Sequence, residues 1–473
     1  MLTYDLDRRG KLARYDYLYR CIREDILAGR LTAGEKLPSK RSLASHLQTA
    51  VITVENAYAQ LEAEGYLYTR EKRGYYVAAV ERHPAAPGCA PAQSAPQPQR
   101  SWLLDLNSGG SGTEGFPFSV WAKLMRRVLS EEGEALLRAT PPNGADALRK
   151  AIAQHLYRFR GISAAPEQIV VGAGTEYLYN LIVQLLGREA VYGVEDPGYS
   201  KAARIYALGG ARTAPVLVDE GGVSLKSLEM SGAQILHTSP NHQFPTGAVT
   251  PIGRRQSLLR WAEAREGRYI IEDDYDSEFR FTLRPIPTLQ SIDRAGRVIY
   301  VNTFSRTLAP SLRISYMVLP KSLTERYRAQ LGFYSSTVPA MEQYTLARFL
   351  DEGYFEAHIN RMRKSYRAQR DAVIDTILQS PLGEHCRVSG EDAGLHFLLT
   401  IDTKCTDHVL RTDAEGRGVR LSFLSDFALR PGSAPQHTLV IHYPGIDLER
   451  LRSALSILEA LLYFRDWKYK GKK

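Results

Sequence analysis

The chain has 473 residues, and its 61 lysines and arginines against 52 aspartates and glutamates give a formal net charge of +9 at pH 7. This length predicts about three structural units, and 44% hydrophobic with 24% charged residues excludes a wholly disordered chain. The four cysteines form no CxxC pair, which argues against a disulfide scaffold and a thiolate zinc site. The start, MLTYDLDRRGK, has no apolar signal segment, and no stretch has the roughly 18 apolar residues of a membrane span. We therefore expect a soluble, cytoplasmic protein without a membrane partner.

The segment before residue 80 has the pattern of three helices followed by a hairpin. Apolar residues spaced at i, i+3 and i+4 predict a first helix from about Tyr15 that ends at Gly29. Ser39 can cap a short second helix, and a third helix is predicted from about Thr53 to Gly65. The segment YLYTREKRGYYV then alternates apolar and polar residues around a charged turn, as a β-hairpin does. This order predicts a winged helix-turn-helix.

A winged helix-turn-helix binds DNA with a recognition helix in the major groove and with cations near the phosphates. The candidate DNA-binding residues are Lys40, Arg41, Thr53, Asn56, Lys72 and Arg73. They belong to the start of the second helix, the third helix and the tip of the wing. Each one can equally be an ordinary solvated side chain, but their joint placement favours contact with DNA.

The segment KLPSKRSLASHLQTAVITVENAYAQLEAEGYLYTREKRGYYV resembles the GntR-type winged helix over its full length, most closely in LPSKRSLA and AYAQLEAEGYL. It departs at the start of the recognition helix, where that family usually has Ser-Arg and this chain has Ala50 and Val51. A lost serine cap costs about 1 kcal/mol. A lost base-contacting arginine costs about 1–3 kcal/mol of discrimination. The resemblance implies double-stranded DNA as a partner, with altered specificity.

A proline-rich segment separates this part from the rest of the chain. Residues 83–99 read HPAAPGCAPAQSAPQPQ, with five prolines and no Asp, Glu, Lys or Arg. Such a composition cannot bury enough apolar surface to fold and is typical of a semi-rigid linker. We predict a DNA-binding domain over 1–80, a linker over 81–102 and a large domain over 103–468.

Beyond the linker, short apolar runs alternate with longer amphipathic stretches. The runs are QIVVGAG, EAVYGVEDPG, QILHTSP, RYIIEDDYD and RVIYVNTFS. This alternation predicts a doubly wound α/β sheet whose ligand lies at the C-terminal ends of its strands. The C-terminal part, which includes YFEAHINRMRKSYRAQRDAVIDTIL, predicts a second, smaller α/β lobe.

Several of these segments together resemble the fold-type I aminotransferases that depend on pyridoxal 5′-phosphate (PLP), over roughly residues 103–465. In VVGAGTEYLYNLI, Gly174 and Thr175 open a helix whose N–H groups can hold a phosphate, although the same turn can simply join a strand to a helix. EDPGYSKAARIY places Tyr199 where the family stacks an aromatic ring on the cofactor, and SPNHQFPTG resembles the turn on the other side of that ring.

The next two segments complete the resemblance. IIEDDYDSEF ends a strand with Asp273 and Tyr275, which can pair with the protonated pyridine nitrogen and the 3′-oxygen of PLP. NTFSRTLAPSLRISYMVLP resembles the cofactor-anchoring loop, with Ser305 and Arg313 at the family's phosphate-binding positions. The order and spacing predict an α/β, fold-type I aminotransferase-like body with a doubly wound mixed sheet in its large lobe.

Arg306 departs from the family pattern in this loop. The resemblance implies a lysine there, which binds PLP covalently and carries the proton in transamination. That chemistry needs an amine able to lose its proton, whereas a guanidinium stays protonated and is a poor nucleophile. The next lysine, Lys321, follows a further strand. We therefore expect no transamination by the usual route and treat Arg306 as a noncovalent cofactor contact. A neutral substitution in a domain kept for dimerisation is the alternative.

The combination of a GntR-type domain, a linker and an aminotransferase-like body resembles the MocR/GabR class of bacterial transcription regulators. The resemblance implies a homodimer that senses PLP with an amine, an amino acid or another small effector.

The segment HTLVIHYPGI has His442 but no arginine that could bind a substrate carboxylate. The ligand is therefore not identified, and His442 is interpreted as a core or lobe-interface residue. We expect a DNA-binding regulator that binds PLP noncovalently, and we predict no metal site. The alternatives are a working aminotransferase with a fused DNA-binding domain, which Arg306 opposes, and a module that captures the cofactor without regulating DNA.

Overall fold

The computed structural model describes residues 2–80, 101–106, 115–281, 286–392 and 394–465. The chain divides into two compact units, Met1–Gln99 and Arg100–Lys473. Residues 81–100 of the predicted linker lie outside the described residues, and the domain boundaries stay predictions. Every described helix is too short or too polar to span a lipid bilayer.

The N-terminal unit is a winged helix-turn-helix, as predicted. Its helices and strands are α1 (Arg14–Leu27), α2 (Lys40–His46), α3 (Val51–Ala63), β1 (Leu67–Arg70) and β2 (Gly74–Val77). Leu18, Leu43 and Leu61 are fully buried in the cluster that joins the three helices. Ser39 caps α2, because its side chain accepts a hydrogen bond from the Ser42 N–H at 3.2 Å.

The start of α3 differs from its predicted position. The helix begins at Val51 rather than at about Thr53, and its N-cap Ala50 makes no side-chain hydrogen bond. The buried residues of α3 are Val54, Ala57, Tyr58 and Leu61, which share one face. Tertiary packing of this face therefore holds a helix whose first turn has no side-chain cap.

The second unit is an α/β body. Its helices are α4 (Phe118–Glu132), α5 (Asp146–Arg160), α6 (Thr175–Leu186), α7 (Ser200–Leu208), α8 (Leu225–Met230), α9 (Ile252–Glu263), α10 (Leu289–Ile292), α11 (Phe304–Thr307), α12 (Lys321–Leu331), α13 (Ala340–Asp351), α14 (Tyr354–Leu378), α15 (Asp407–Gly416) and α16 (Leu448–Arg465). Its strands are β3 (Leu104–Asp105), β4 (Ile169–Gly172), β5 (Val191–Asp196), β6 (Arg212–Asp219), β7 (Gly222–Val223), β8 (Ile235–Thr238), β9 (Tyr269–Asp273), β10 (Val298–Thr303), β11 (Ser315–Val318), β12 (Cys386–Ser389), β13 (His396–Ile401), β14 (Val419–Arg420) and β15 (Thr438–His442).

The larger sheet is mixed and has eight strands in the order β4-β11-β10-β9-β8-β5-β6-β7. The central strands from β10 to β6 pair in parallel, whereas β11 runs antiparallel to both β10 and β4. Helices cover both faces: on β9, Ile271 packs with α6, α7 and α12, while its neighbour Ile270 packs with α8, α9 and α10. This is the doubly wound large lobe that the sequence predicted.

The smaller lobe contains an antiparallel sheet in the order β12-β13-β15. The long helix α14 leads into it and packs on α16. β14 pairs in parallel with β3, which joins the lobe to the start of the body. The second, smaller α/β lobe is therefore confirmed.

Candidate functional site

A cavity lies where the parallel strands of the large sheet end. Its lining residues are Thr175, Tyr179, Tyr199, Ser239, Phe244, Asp273, Tyr275, Thr303 and Arg306. Asp273 and Thr303 are the last residues of β9 and β10, and Ser239 directly follows β8. Ligands of open α/β sheets bind at this edge.

Asp273 is a buried carboxylate with one occupied and one free oxygen. Its Oδ2 accepts a hydrogen bond from the Tyr179 hydroxyl at 2.6 Å and lies 3.4 Å from Nε2 of His237. Burial, and then the charge of Asp273, raise the pKa of Tyr179 well above its usual value, so this phenol stays a donor. The other oxygen, Oδ1, is out of contact with solvent and has no hydrogen-bond partner among the described residues. Since an unpaired buried carboxylate oxygen is costly, a protonated ring nitrogen of a ligand is a suitable partner.

Aromatic side chains form another wall of the cavity. The ring of Phe244 lies edge-on to Tyr199 and to Tyr275, with both centroids 6.3 Å away. Burial, followed by the charge of Asp273, raises the pKa of Tyr199 to about 12, so its hydroxyl is protonated at neutral pH. Rings in this arrangement suit a planar ligand.

The start of α6 lies beside the cavity and is suited to a phosphate. Gly174 precedes it with φ +94°, and a Cβ there would lie 2.1 Å from Nη2 of Arg313. Only glycine therefore lets this guanidinium approach the helix N-terminus. Ser305 Oγ is buried and has no hydrogen-bond partner among the described residues. The N–H groups of the first turn, a hydroxyl and an arginine together fit a phosphate group.

An ion pair already engages this arginine. Arg313 is 48% exposed, and its guanidinium contacts the carboxylate of Glu176, which also accepts a hydrogen bond from Lys201. Although partial burial opposes ionisation, the hydrogen bonds from Lys201 and Arg313 lower the pKa of Glu176 to about 2. Glu176 is therefore ionised at neutral pH and competes with a phosphate for Arg313.

Arg306 extends into the cavity from α11, which follows β10. Among the described lining residues it is the cation, and none of them is a lysine. Burial, and then the charge of Arg306, lower the pKa of His442 to about 4. The guanidinium is thus close enough to the smaller lobe to act on a strand-end histidine there.

Three histidines join the two lobes next to this cavity. His242 and Asp276 follow strands of the large sheet, with Nδ1 of His242 and Oδ2 of Asp276 2.9 Å apart. His396 and His442 are paired residues of β13 and β15, and the His396 ring centroid lies 4.9 Å from that of His242. Burial, and then His242, lower the pKa of His396 well below its usual value. His442 therefore lies at a junction between the lobes.

The candidate DNA-binding residues differ in solvent exposure and in their contacts within the domain. Arg41, Asn56, Lys72 and Arg73 are exposed, whereas Thr53 is half-buried. Lys40 donates a hydrogen bond to Glu55 at 2.7 Å and lies 5.4 Å from the ring centroid of Tyr75. These contacts pair Lys40 with side chains of its own domain at the surface.

A further cation lies on the wing. Arg70 is placed over the rings of Tyr68 and Tyr76, 5.5 and 4.8 Å from their centroids. Lys72, at the tip of the hairpin turn, has φ +59°. Sequence reasoning did not select Arg70, although its position at the end of β1 next to the charged turn was visible.

Comparison with known proteins agrees with both halves of this description. Residues 14–77 match the family of bacterial regulatory proteins called gntR, and residues 103–410 match aminotransferase class I and II. YdeL of Bacillus subtilis (strain 168), an uncharacterized HTH-type transcriptional regulator, is 37% identical over 97% of this chain and 99% of its own length. The probable rhizopine catabolism regulatory protein MocR of Rhizobium meliloti is 34% identical over 96% and 95%. The chain belongs to the MocR-type family of HTH transcription regulators.

Solved aminotransferases show the fold of the MocR-type body. Kynurenine aminotransferase of Pyrococcus horikoshii has a TM-score of 0.67 at 22% identity and covers 77% of this chain and 92% of its own. LysN of Thermus thermophilus, an α-aminoadipate aminotransferase complexed with N-(5′-phosphopyridoxyl)-L-leucine, has a TM-score of 0.66 at 26% identity, with 76% and 92% covered. The fold-type I prediction is therefore confirmed.

In this MocR-type chain, the structure brings the predicted cofactor residues to one place. Five of them line the cavity, namely Thr175, Tyr199, Asp273, Tyr275 and Arg306. The other three, Gly174, Ser305 and Arg313, lie next to it in the chain or in space. Their roles as ligands of PLP stay predictions.

Sequence reasoning missed several side chains of the site. Tyr179 follows Thr175 by one helical turn, so helical spacing could have placed both on the same side of α6. Phe244 belongs to SPNHQFPTG, which resembled a cofactor turn as a whole. Thr303 belongs to NTFSRTLAPSLRISYMVLP, which resembled the cofactor-anchoring loop as a whole, whereas His237 lies inside β8, where sequence pattern did not indicate a site residue.

Proposed function

We propose that this protein is a DNA-binding transcription regulator whose body binds PLP without a covalent bond and responds to a small amine or anionic effector. The observation that carries the proposal is Arg306, the cation among the residues that line the cavity. In this proposal the body is a sensor and lacks transaminase activity.

The unpartnered buried atoms of the site support PLP as the ligand. Asp273 Oδ1 needs a donor, which a protonated pyridine nitrogen supplies, and Ser305 Oγ needs a partner, which a phosphate oxygen supplies. Gly174 keeps the space in which Arg313 can reach that phosphate. PLP, when bound, supplies an electron sink for the carbon next to an amino group.

The side chains around the cavity oppose covalent catalysis. Arg306 stays protonated at any accessible pH and cannot attack an aldehyde or move a proton as an amine does. Lys201 is an amine near the start of α6, but its ammonium group is bound to Glu176 and it does not line the cavity. Arg306 can instead bind a carboxylate or phosphate, because its planar guanidinium matches both.

Exposed apolar side chains support a homodimer. Large apolar residues are exposed on α4, on α5 and in the turn between them, namely Phe118, Leu129, Leu137, Tyr157 and Phe159. A contiguous exposed apolar patch usually marks a surface that another protein covers, and in this proposal these residues form such a patch. Two DNA-binding domains in a dimer require two half-sites at fixed spacing.

Two assays test this function against its alternatives. A gel-shift assay uses the DNA upstream of the protein's own gene, with and without PLP and amines. We expect a shift that salt weakens, and no shift under any of these conditions contradicts the regulator. In parallel, PLP and a panel of amino acids are tested for keto-acid formation. We expect none above the rate of free PLP, whereas catalytic turnover supports the fused aminotransferase.

A further inference from the structure

The first turn of the recognition helix exposes two consecutive apolar side chains. Val51 is 43% and Ile52 59% exposed at the start of α3. Among the described residues of the N-terminal unit, Tyr15 and Leu27 are the other large apolar side chains with comparable exposure, and both lie on α1. An exposed apolar pair at this position requires a reason.

Neither folding nor capping supplies that reason. The face of α3 that packs against the domain is formed by Val54, Ala57, Tyr58 and Leu61, which leaves Val51 and Ile52 outside the core. The N-cap Ala50 makes no side-chain hydrogen bond, and β-branched residues are only moderate helix formers. Solvation would favour polar residues here, so the apolar pair fits a partner that offers apolar groups.

Exposed cations of the same domain favour DNA as that partner. Arg41 at the start of α2 and Lys72 and Arg73 at the wing tip are exposed cations of the same domain, suited to phosphates. Asn56 is exposed one helical turn after Ile52, so both side chains lie on the same side of α3. Asparagine binds the N6 and N7 atoms of adenine in the major groove.

We infer that Val51 and Ile52 contact the 5-methyl groups of thymines in the major groove, and that Asn56 binds an adenine next to them. This inference rests on the proposed DNA-binding function and adds its specificity. The thymine methyl is the apolar group that the bases present in that groove, and the N-terminal residues of a recognition helix are those that contact base edges. Each operator half-site therefore contains A·T pairs at the positions under the start of α3.

Removing the methyl groups from DNA tests the inference without altering the protein. The full-length protein first selects duplexes from a random pool. Each thymine of a selected duplex is then replaced by deoxyuridine, which lacks only the 5-methyl group. We expect the dissociation constant to rise about fourfold per contacted thymine, the effect of burying one methyl group. Replacing the same thymine by 5-methylcytosine, which keeps the methyl, retains more affinity than replacing it by cytosine.

Matched variants assign the effect to the helix start. In Val51→Ala with Ile52→Ala, thymine and deoxyuridine duplexes should bind equally, with an unchanged dependence on salt because phosphate contacts remain. Tyr15→Ala, the control at an exposed apolar residue of α1, should keep the full difference between the two duplexes.

Three results contradict the inference in distinguishable ways. If the protein binds selected DNA but no deoxyuridine substitution weakens binding, the methyl contacts are wrong and the DNA-binding function stands. If the double alanine variant still distinguishes thymine from deoxyuridine, other residues make the contact. If no duplex is selected and no salt-dependent DNA binding is found, the proposed function itself fails, and the apolar pair is the surface of a protein contact.

Discussion

The recognition helix and the aminotransferase-like cavity each contain a residue that differs from what the family resemblance implies, and the surroundings of these two positions differ. At the helix, Ala50 and Val51 stand where the resemblance implies a polar pair, Val51 is exposed, and the buried face of α3 stays packed. In the cavity, Arg306 stands where the resemblance implies a lysine, and the buried atoms Asp273 Oδ1 and Ser305 Oγ have no hydrogen-bond partner among the described residues. A substitution in an exposed site can change binding specificity while the packing of the fold stays the same. In a buried polar site, a polar atom without a protein partner indicates where a ligand atom binds, because unpaired buried groups are costly.

The largest expected effect is that of filling the space at Gly174. Gly174→Ala places a Cβ 2.1 Å from Arg313 Nη2 in a backbone conformation with φ +94°. We expect a loss of about 1–3 kcal/mol in the free energy of unfolding from backbone strain, and no measurable PLP binding because Arg313 is displaced from the start of α6. Urea unfolding and a PLP absorbance titration measure the two effects.

Gly187→Ala is the matched control for this substitution. Gly187 has φ +102° but no atom within 4 Å of the added Cβ. It should lose about 1–2 kcal/mol of stability from backbone strain alone and bind PLP normally. Equal PLP binding in the Gly174→Ala variant would show that the start of α6 does not hold the phosphate.

The next effect concerns the free oxygen of Asp273. Asp273→Asn removes the charge that would pair with a protonated ring nitrogen, so the dissociation constant of PLP should rise about 10- to 100-fold. Asp219 is the last residue of β6, and its exposed carboxylate pairs with Arg254 outside the cavity lining. Asp219→Asn should therefore leave PLP binding unchanged. A similar affinity for PLP in both variants would show that PLP does not bind at Asp273.

The histidine junction predicts a dependence of stability on pH. Burial and Arg306 lower the pKa of His442 from 6.5 to about 4, so as pH falls the unfolded chain takes up the proton first. The contribution to stability is complete above pH 6.5 and is lost as pH falls toward 4, by up to about 3 kcal/mol. Urea unfolding of His442→Gln between these pH values should show a shallower loss, while the exposed His408→Gln should follow the wild type. Parallel curves for all three proteins would contradict this assignment.

The smallest expected effect concerns the ion pair between Glu176 and Arg313 at the start of α6, where we place the phosphate of PLP. Glu176→Gln releases Arg313 from a partly exposed ion pair, which is worth up to about 1 kcal/mol. PLP binding should therefore tighten about two- to fivefold, because Arg313 is then free for the phosphate. Weaker binding in this variant would mean that Glu176 positions Arg313 rather than competing for it.

The fold was largely predictable from the sequence, because turn residues and hydrophobic periodicity mark the winged helix and the strands of the large sheet. The start of α3 lies two residues before the predicted Thr53, because the N-cap Ala50 has no capping side chain that would mark the helix start in the sequence. The candidate site was predictable at strand ends, where motifs place Asp273 and Tyr199. It was not predictable where the partners come from separate elements, as with the hydrogen bond from Tyr179 to Asp273 and the ion pair of Glu176 with Arg313.

The most direct test of the central claim is an intact mass measured after PLP is mixed with the protein and reduced with borohydride. Wild type, Arg306→Lys and Arg306→Gln are compared, and peptide mapping locates any added mass. We predict that only Arg306→Lys gains the mass of one phosphopyridoxyl group, at residue 306, while the wild type binds PLP reversibly and keeps its mass. A stoichiometric adduct in the wild type, at Lys201 or at any other residue, would contradict the claim that this body holds its cofactor without a covalent bond.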